Sequence, residues 1–325
     1  MIRKSILTAL IGTALSLSVS TSAVSATILK LSHNQSRDYA VHKAMDSMAK
    51  EVRELTNGEV LIRIYPDAQL GTQRESMELM QNGALDIVKT SAAELETFAP
   101  AYAAFSLPYL FRNKSHYYNV RKGIGEEILA SSRDSGFIGL TYYDAGARSF
   151  YASKPINTPE DLKGLKIRVQ PSPSAISMVK TLGGNATPLD YGELYTALQQ
   201  GVVDAAENNI PSYSSSRHSE VSKFFSLDEH TMVPDVLVIS NKAYDSLSEE
   251  NRIALKKAAN NSMELMKKLW AESEVTERAK AEKLGVTFIT PNKQAFVDAV
   301  QPMYEALNTT NPELAEIVNR IKAVQ

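Results

Sequence analysis

The chain has 325 residues, no cysteine, and 35 Lys+Arg against 37 Asp+Glu, a formal charge of −2. The lack of cysteine excludes a disulfide framework, a thiol nucleophile and a cysteine metal site, and the mild acidic balance argues against a nucleic-acid partner. A chain this long buries a large core and is expected to split into two domains.

The basic start Arg3-Lys4, the uncharged and mostly apolar run over 5–19 and the small residues Ser25 and Ala26 read as a secretory signal peptide over 1–26. Its removal leaves 299 residues carrying about −4, with no later stretch apolar enough to span a membrane. The first mature strand is predicted over 28–32. A helix follows, with Val41, Ala44, Met45, Met48, Val52 and Leu55 at three-and-four spacing and Asn57-Gly58 as its stop. Val60, Ile62 and Ile64 alternate with Leu61, Arg63 and Tyr65 as a second strand. A helix over 72–82 and a buried strand over 85–88 complete two βαβ steps, the order of a mostly parallel sheet.

Farther on, a strand over 137–143 breaks at Asp144-Ala145-Gly146-Ala147, where the chain is expected to cross between domains. A second set comprises strands over 164–170 and 202–206 and helices over 174–182 and 191–200, with Glu207, Asn208 and Asn209 at a strand tip. A strand over 236–240 and a long helix from the Ser248 cap towards Leu284 and Gly285 follow. The expected architecture is an α/β, two-domain, periplasmic-binding-protein-like fold with mixed, mostly parallel sheets. Domain I would hold 27–145 with about 234–274, domain II 146–233 with about 275–325, and the ligand cleft would lie between them.

Among the chemistry-bearing patterns, GxSxG, the P-loop, HExxH and GxGxxG are all absent, and the five histidines are scattered; His42 and His116 read as solvated. Binding without a cofactor or metal is therefore favoured over catalysis. In GLKIRVQ (164–170), Leu165, Ile167 and Val169 alternate with Lys166, Arg168 and Gln170. This puts Arg168 on the polar face of a strand, either as a solvated cation or as a planar fork matched to a carboxylate.

Several segments together resemble the substrate-binding proteins of tripartite ATP-independent periplasmic (TRAP) transporters, of the DctP type. They are YPDAQLG (65–71), NGALD (82–86), FSLPYLF (105–111), GLKIRVQ and LGGNATPLDYGELYTALQQGVVDAAEN (182–208). The resemblance covers nearly the whole mature chain. It implies a monomeric periplasmic receptor that binds a small carboxylate and passes it to small and large membrane subunits. It places the carboxylate-gripping arginine at Arg168, a second arginine at Arg148, and the asparagine that closes the site at Asn208. It also places contact residues at His33, Asn34, Gln73 and Ser91, a covering aromatic at Tyr191, and His230 in the loop before the last crossing strand. Taken alone, Asn208 also reads as a turn cap, His230 as a loop histidine, Tyr191 as a core residue and Gln73 as part of a solvated helix start. Ser91 stands where some sialic acid binders carry an acid, which weakens that assignment. The polar lining suits a sugar acid such as glucuronate or galacturonate, with a C4-dicarboxylate or other organic acid as the alternative, and an exported sugar-acid enzyme or a sensor receptor as rivals.

Overall fold

The computed structural model describes residues 26–325. The expected signal peptide lies outside them except for its last residue. Eleven strands are found among the described residues: β1 (Thr27–Ser32), β2 (Val60–Tyr65), β3 (Ile87–Ser91), β4 (Phe137–Tyr143), β5 (Arg148–Ala152), β6 (Lys166–Val169), β7 (Asn185–Pro188), β8 (Ala205–Asn208), β9 (Phe224–Thr231), β10 (Asp235–Ser240) and β11 (Thr287–Ile289). They form two sheets, ordered β2-β1-β3-β10-β4 and β11-β9-β5-β8-β6-β7.

Five of the nine strand pairings are parallel. The antiparallel ones follow from two crossings. The chain leaves the first sheet after β4 to enter the second at β5, and returns from β9 to β10, which runs against both β3 and β4. Both sheets are covered on both faces, so their strands are apolar on both sides. Val236 and Val238 pack into one core while Leu237 and Ile239 pack into the other. Phe150 and Tyr151 of β5 divide in the same way in the second sheet.

Local signals place the helices well. The helix Ala40–Leu55 buries Val41, Ala44, Met45, Met48 and Val52, and the chain then turns through Asn57 and Gly58 at φ 49° and 83°. Thr72 and Glu75 exchange hydrogen bonds as a capping box at the start of Gln73–Gln81. Ser248 caps the helix Glu249–Lys283, whose Leu255, Ala258, Ala259, Met266 and Trp270 lie in the core beside Ala40–Leu55, while Ala281 reaches the core of the second sheet. At the β4–β5 crossing, Gly146 has φ +60°, and a Cβ there would lie 2.8 Å from Glu274 Oε1 and 2.9 Å from Trp270 Nε1, so only glycine fits under the long helix.

Several expectations need correction. The helix Pro312–Ala323, expected in domain II, packs Leu314, Val318 and Ile321 into the core of the first sheet, because these residues share one helical face. His42 and His116 are buried rather than solvated. His42 Nδ1 sits 2.9 Å from His33 Nε2. His116 accepts the Arg112 N–H at Nδ1 and lies 2.9 Å from Ile321 O at Nε2. Strands β3 and β8 both extend farther toward their carboxyl ends than expected, taking in Lys89, Thr90 and Ser91 in one and Glu207 and Asn208 in the other.

Candidate functional site

The carboxyl ends of β1, β3, β6 and β8 converge between the sheets, the place where α/β folds hold ligands. A narrow cavity, lined from both sheets, lies there. The sheets are already close across it. Tyr39 OH is 2.7 Å from Ser212 Oγ, Ser91 Oγ donates to Gln170 Oε1, and Glu96 Oε1 accepts from Ser172 Oγ and the Ser174 N–H.

Arg168 lines this cavity and is 1 % exposed, so the solvated alternative for it falls. The alternation that sends Ile167 and Val169 into the core aims Arg168 the other way. Its Nε donates to Leu189 O at 2.9 Å, its Cζ lies 5.9 Å from the centre of the Tyr191 ring, and its buried Nη1 has no hydrogen-bond partner. Burial lowers its pKa, so the charge is held at a cost. A guanidinium in that condition lacks an anion.

Arg148 also lines the cavity, but most of its donors are already used. Nε and Nη2 grip the two carboxylate oxygens of Glu207, Nη2 also reaches Glu207 O, and Nη1 donates to Asn208 Oδ1 at 2.9 Å. Asn208 Oδ1 accepts the Asn209 N–H as well, which leaves the Nδ2 hydrogens of Asn208 for a ligand. Behind Arg148, Glu207 Oε2 meets His230 Nε2 at 3.4 Å and His230 Nδ1 meets Asp228 at 2.7 Å, a buried chain of alternating charge. Burial opposes the Glu207 charge, but Arg148 and His230 hold its pKa down to about 2. Burial likewise opposes protonation of His230, and Asp228 with Glu207 raises its pKa to about 9.

A raised histidine pKa contributes stability that is complete below the unfolded value of about 6.5 and is lost as pH climbs through 9. The unfolding midpoint is therefore expected to fall between pH 6.5 and 9 by the equivalent of about 3 kcal/mol, and His230→Gln should flatten that slope. An equally steep alkaline loss in the variant would assign the slope to another group.

Of the remaining expected residues, Asn34, Gln73, Ser91 and Tyr191 line the cavity. Gln73 accepts the Ser91 N–H and donates to Glu94, so it braces β3 as well as facing the cleft. Tyr191 OH bonds to Ser216 Oγ and Ser212 O, holding its ring over Arg168. His33 and His230 do not line the cavity. His33 is spent on His42 and the Gln35 N–H, and burial, with Lys89 nearby, lowers its pKa to about 2, keeping it neutral. Tyr39, Lys89, Gln170, Asn209, Ser212 and Asp235 also line the cavity. Of these, Lys89 had a signal: a single cation inside the otherwise buried strand IVKTS. No cluster of metal-ligating side chains occurs among the described residues.

Two sheets joined by chain crossings, with an unsatisfied guanidinium in the cleft between them, have the construction of a receptor for a small anion. The chain belongs to the bacterial extracellular solute-binding protein, family 7 (DctP), whose profile matches residues 31–310. A TRAP periplasmic solute-binding protein from Xanthobacter autotrophicus, solved with β-D-galacturonate, is 45 % identical with a TM-score of 0.88, over 91 % of this chain and 100 % of that one. One from Anaerococcus prevotii, solved with α/β D-glucuronate, is 39 % identical with a TM-score of 0.88, over 91 % and 97 %. The 2,3-diketo-L-gulonate-binding periplasmic protein of Escherichia coli is 30 % identical over 94 % of each chain. The protein is thus a periplasmic solute receptor of the TRAP type and not an enzyme.

Proposed function

We propose that the protein binds a hexuronate, galacturonate or glucuronate, in the cleft between its sheets and delivers it to TRAP membrane subunits. The observation that carries this reading is the buried Arg168, whose Nη1 lacks a partner inside a cavity lined by amides and hydroxyls. The carboxylate meets Arg168, with Arg148 Nη1 and Asn208 Nδ2 completing its hydrogen bonds and Tyr191 excluding water. Asn34, Gln73, Ser91 and Gln170 supply partners for the hydroxyls. Charge-assisted hydrogen bonds contribute about 1.5 to 3 kcal/mol each, and a micromolar complex needs about 8 kcal/mol, so three such bonds leave the rest to the hydroxyls and to closure. The relatives that carry galacturonate and glucuronate support the same ligand class.

In this reading the lobes are 27–145 with about 234–274 and the C-terminal helix, and 146–233 with about 275–311. They hinge where the chain crosses between β4 and β5 and between β9 and β10. Titration calorimetry with D-galacturonate, D-glucuronate and succinate tests the assignment. Micromolar or tighter binding of a uronate with weak or no succinate binding is expected; a preference for succinate would overturn it.

A further inference from the structure

The wall of the cavity facing Arg168 holds a cation and an anion of its own. Lys89 on β3 has a side chain only 2 % exposed, and its Nζ donates to Asp235 Oδ2 on β10 at 3.1 Å and to Asn34 Oδ1 at 3.4 Å. Asp235 is 15 % exposed at its side chain and lines the cavity beside Lys89. The register explains the pairing: Asp235 lies opposite Ser91 across the antiparallel β3–β10 ladder, two residues along the same face from Lys89.

We propose that the Lys89–Asp235 pair is a specificity filter that reads hydroxyl groups at the end of the ligand away from its carboxylate and rejects a second carboxylate there. The inference rests on the sugar-acid reading of the site. A hydroxyl both donates and accepts, so it can give its proton to Asp235 Oδ1 and accept from the third Lys89 N–H at once. A carboxylate only accepts. Facing Asp235, it sets two anions against each other in a poorly solvated site. The cation that would compensate is already neutralised, since Lys89 and Asp235 sum to no net charge. On the opposite wall Arg148 is matched by Glu207, so among the described residues Arg168 is the single unmatched charge lining the cavity. One unmatched cation suits one carboxylate.

Calorimetry with D-galacturonate, D-galactonate and galactarate separates the possibilities. Galactonate and galactarate are both open six-carbon chains and differ at one terminus, hydroxymethyl against carboxylate, so their ratio isolates the second charge. The wild type is expected to prefer galactonate by about tenfold or more. Asp235→Asn, whose amide can donate to a carboxylate, is expected to bring the two within about threefold. Asp235→Ser, which frees Lys89, should tip the ratio toward galactarate and serves if the asparagine variant does not fold. A wild type that binds galactonate no better than galactarate overturns the filter, as does an unchanged ratio in a folded variant. If galacturonate binds well while the ratio is flat, the filter alone fails; if none of the three binds, the sugar-acid reading fails with it.

Discussion

Arg168→Met is expected to abolish ligand binding while leaving the ligand-free protein as stable as the wild type or more so. The two halves of this result come from one observation. Arg168 is fully buried, its Nη1 is unpartnered and burial lowers its pKa, so in the absence of an anion the charge opposes folding. Methionine fills much of the same volume without that penalty. With ligand, the lost hydrogen bonds contribute about 1.5 to 3 kcal/mol each, so losing two costs roughly two to four orders of magnitude in affinity. Arg168→Lys should keep the charge but lose the fork, and bind weakly. Calorimetry and thermal unfolding on the same preparations test both halves: a variant that binds near wild-type affinity removes Arg168 from the site, and one that unfolds well below the wild type shows that the guanidinium is structural.

Glu207→Ala has the opposite signature, loss of stability first. Arg148 and Glu207 are 8 % and 2 % exposed at their side chains, and Glu207 occupies three of the hydrogen bonds Arg148 makes. Its Oε2 is shared with His230. Removing the carboxylate strands the buried Arg148 guanidinium, while His230 keeps Asp228 at 2.7 Å, and the loss costs about 3 to 5 kcal/mol. Binding weakens as well, because Arg148 loses the partner that fixes its Nη1 beside Asn208. Urea unfolding is the measurement, with the double variant Arg148→Met/Glu207→Leu as control. Removing both charges should recover most of the stability but none of the binding. If the single variant loses less than about 1 kcal/mol, Arg148 has found another counter-charge.

Much of this was legible in the sequence because periodicity and caps carry it. The Ala40–Leu55 helix with its Asn57-Gly58 stop, the Thr72 start, β4 over its full length and the Ser248-capped long helix follow from local patterns. Arg168 stood out because one alternation sets both its neighbours and its direction. The misreadings at the cleft share one cause. Apolar character ends at Val88 in β3 and at Ala206 in β8, so by pattern alone the strands end there, yet both continue through polar residues into the cleft. A binding site written on strand ends erases the signal that marks the strands. Lys89 is hidden for that reason, His33 in the turn after β1 faces His42, and His230 lies within β9 rather than in a loop and faces Asp228. Strands β5, β7, β9 and β11 carry too little alternation to be read, and sequence order does not reveal that the C-terminal helix returns to pack on the first sheet.

The position of β10 bears on how the protein is made. The first sheet has a gap between β3 and β4 that only β10 can fill, and β10 is synthesised after the entire β5–β9 stretch of the second sheet. The N-terminal half cannot settle into its native arrangement while the rest of the polypeptide is still emerging, and its pairings close over long sequence separations, which slows folding. For a periplasmic polypeptide, which crosses a membrane before it folds, a first sheet that stays incomplete until β10 has been made is in keeping with that order of events.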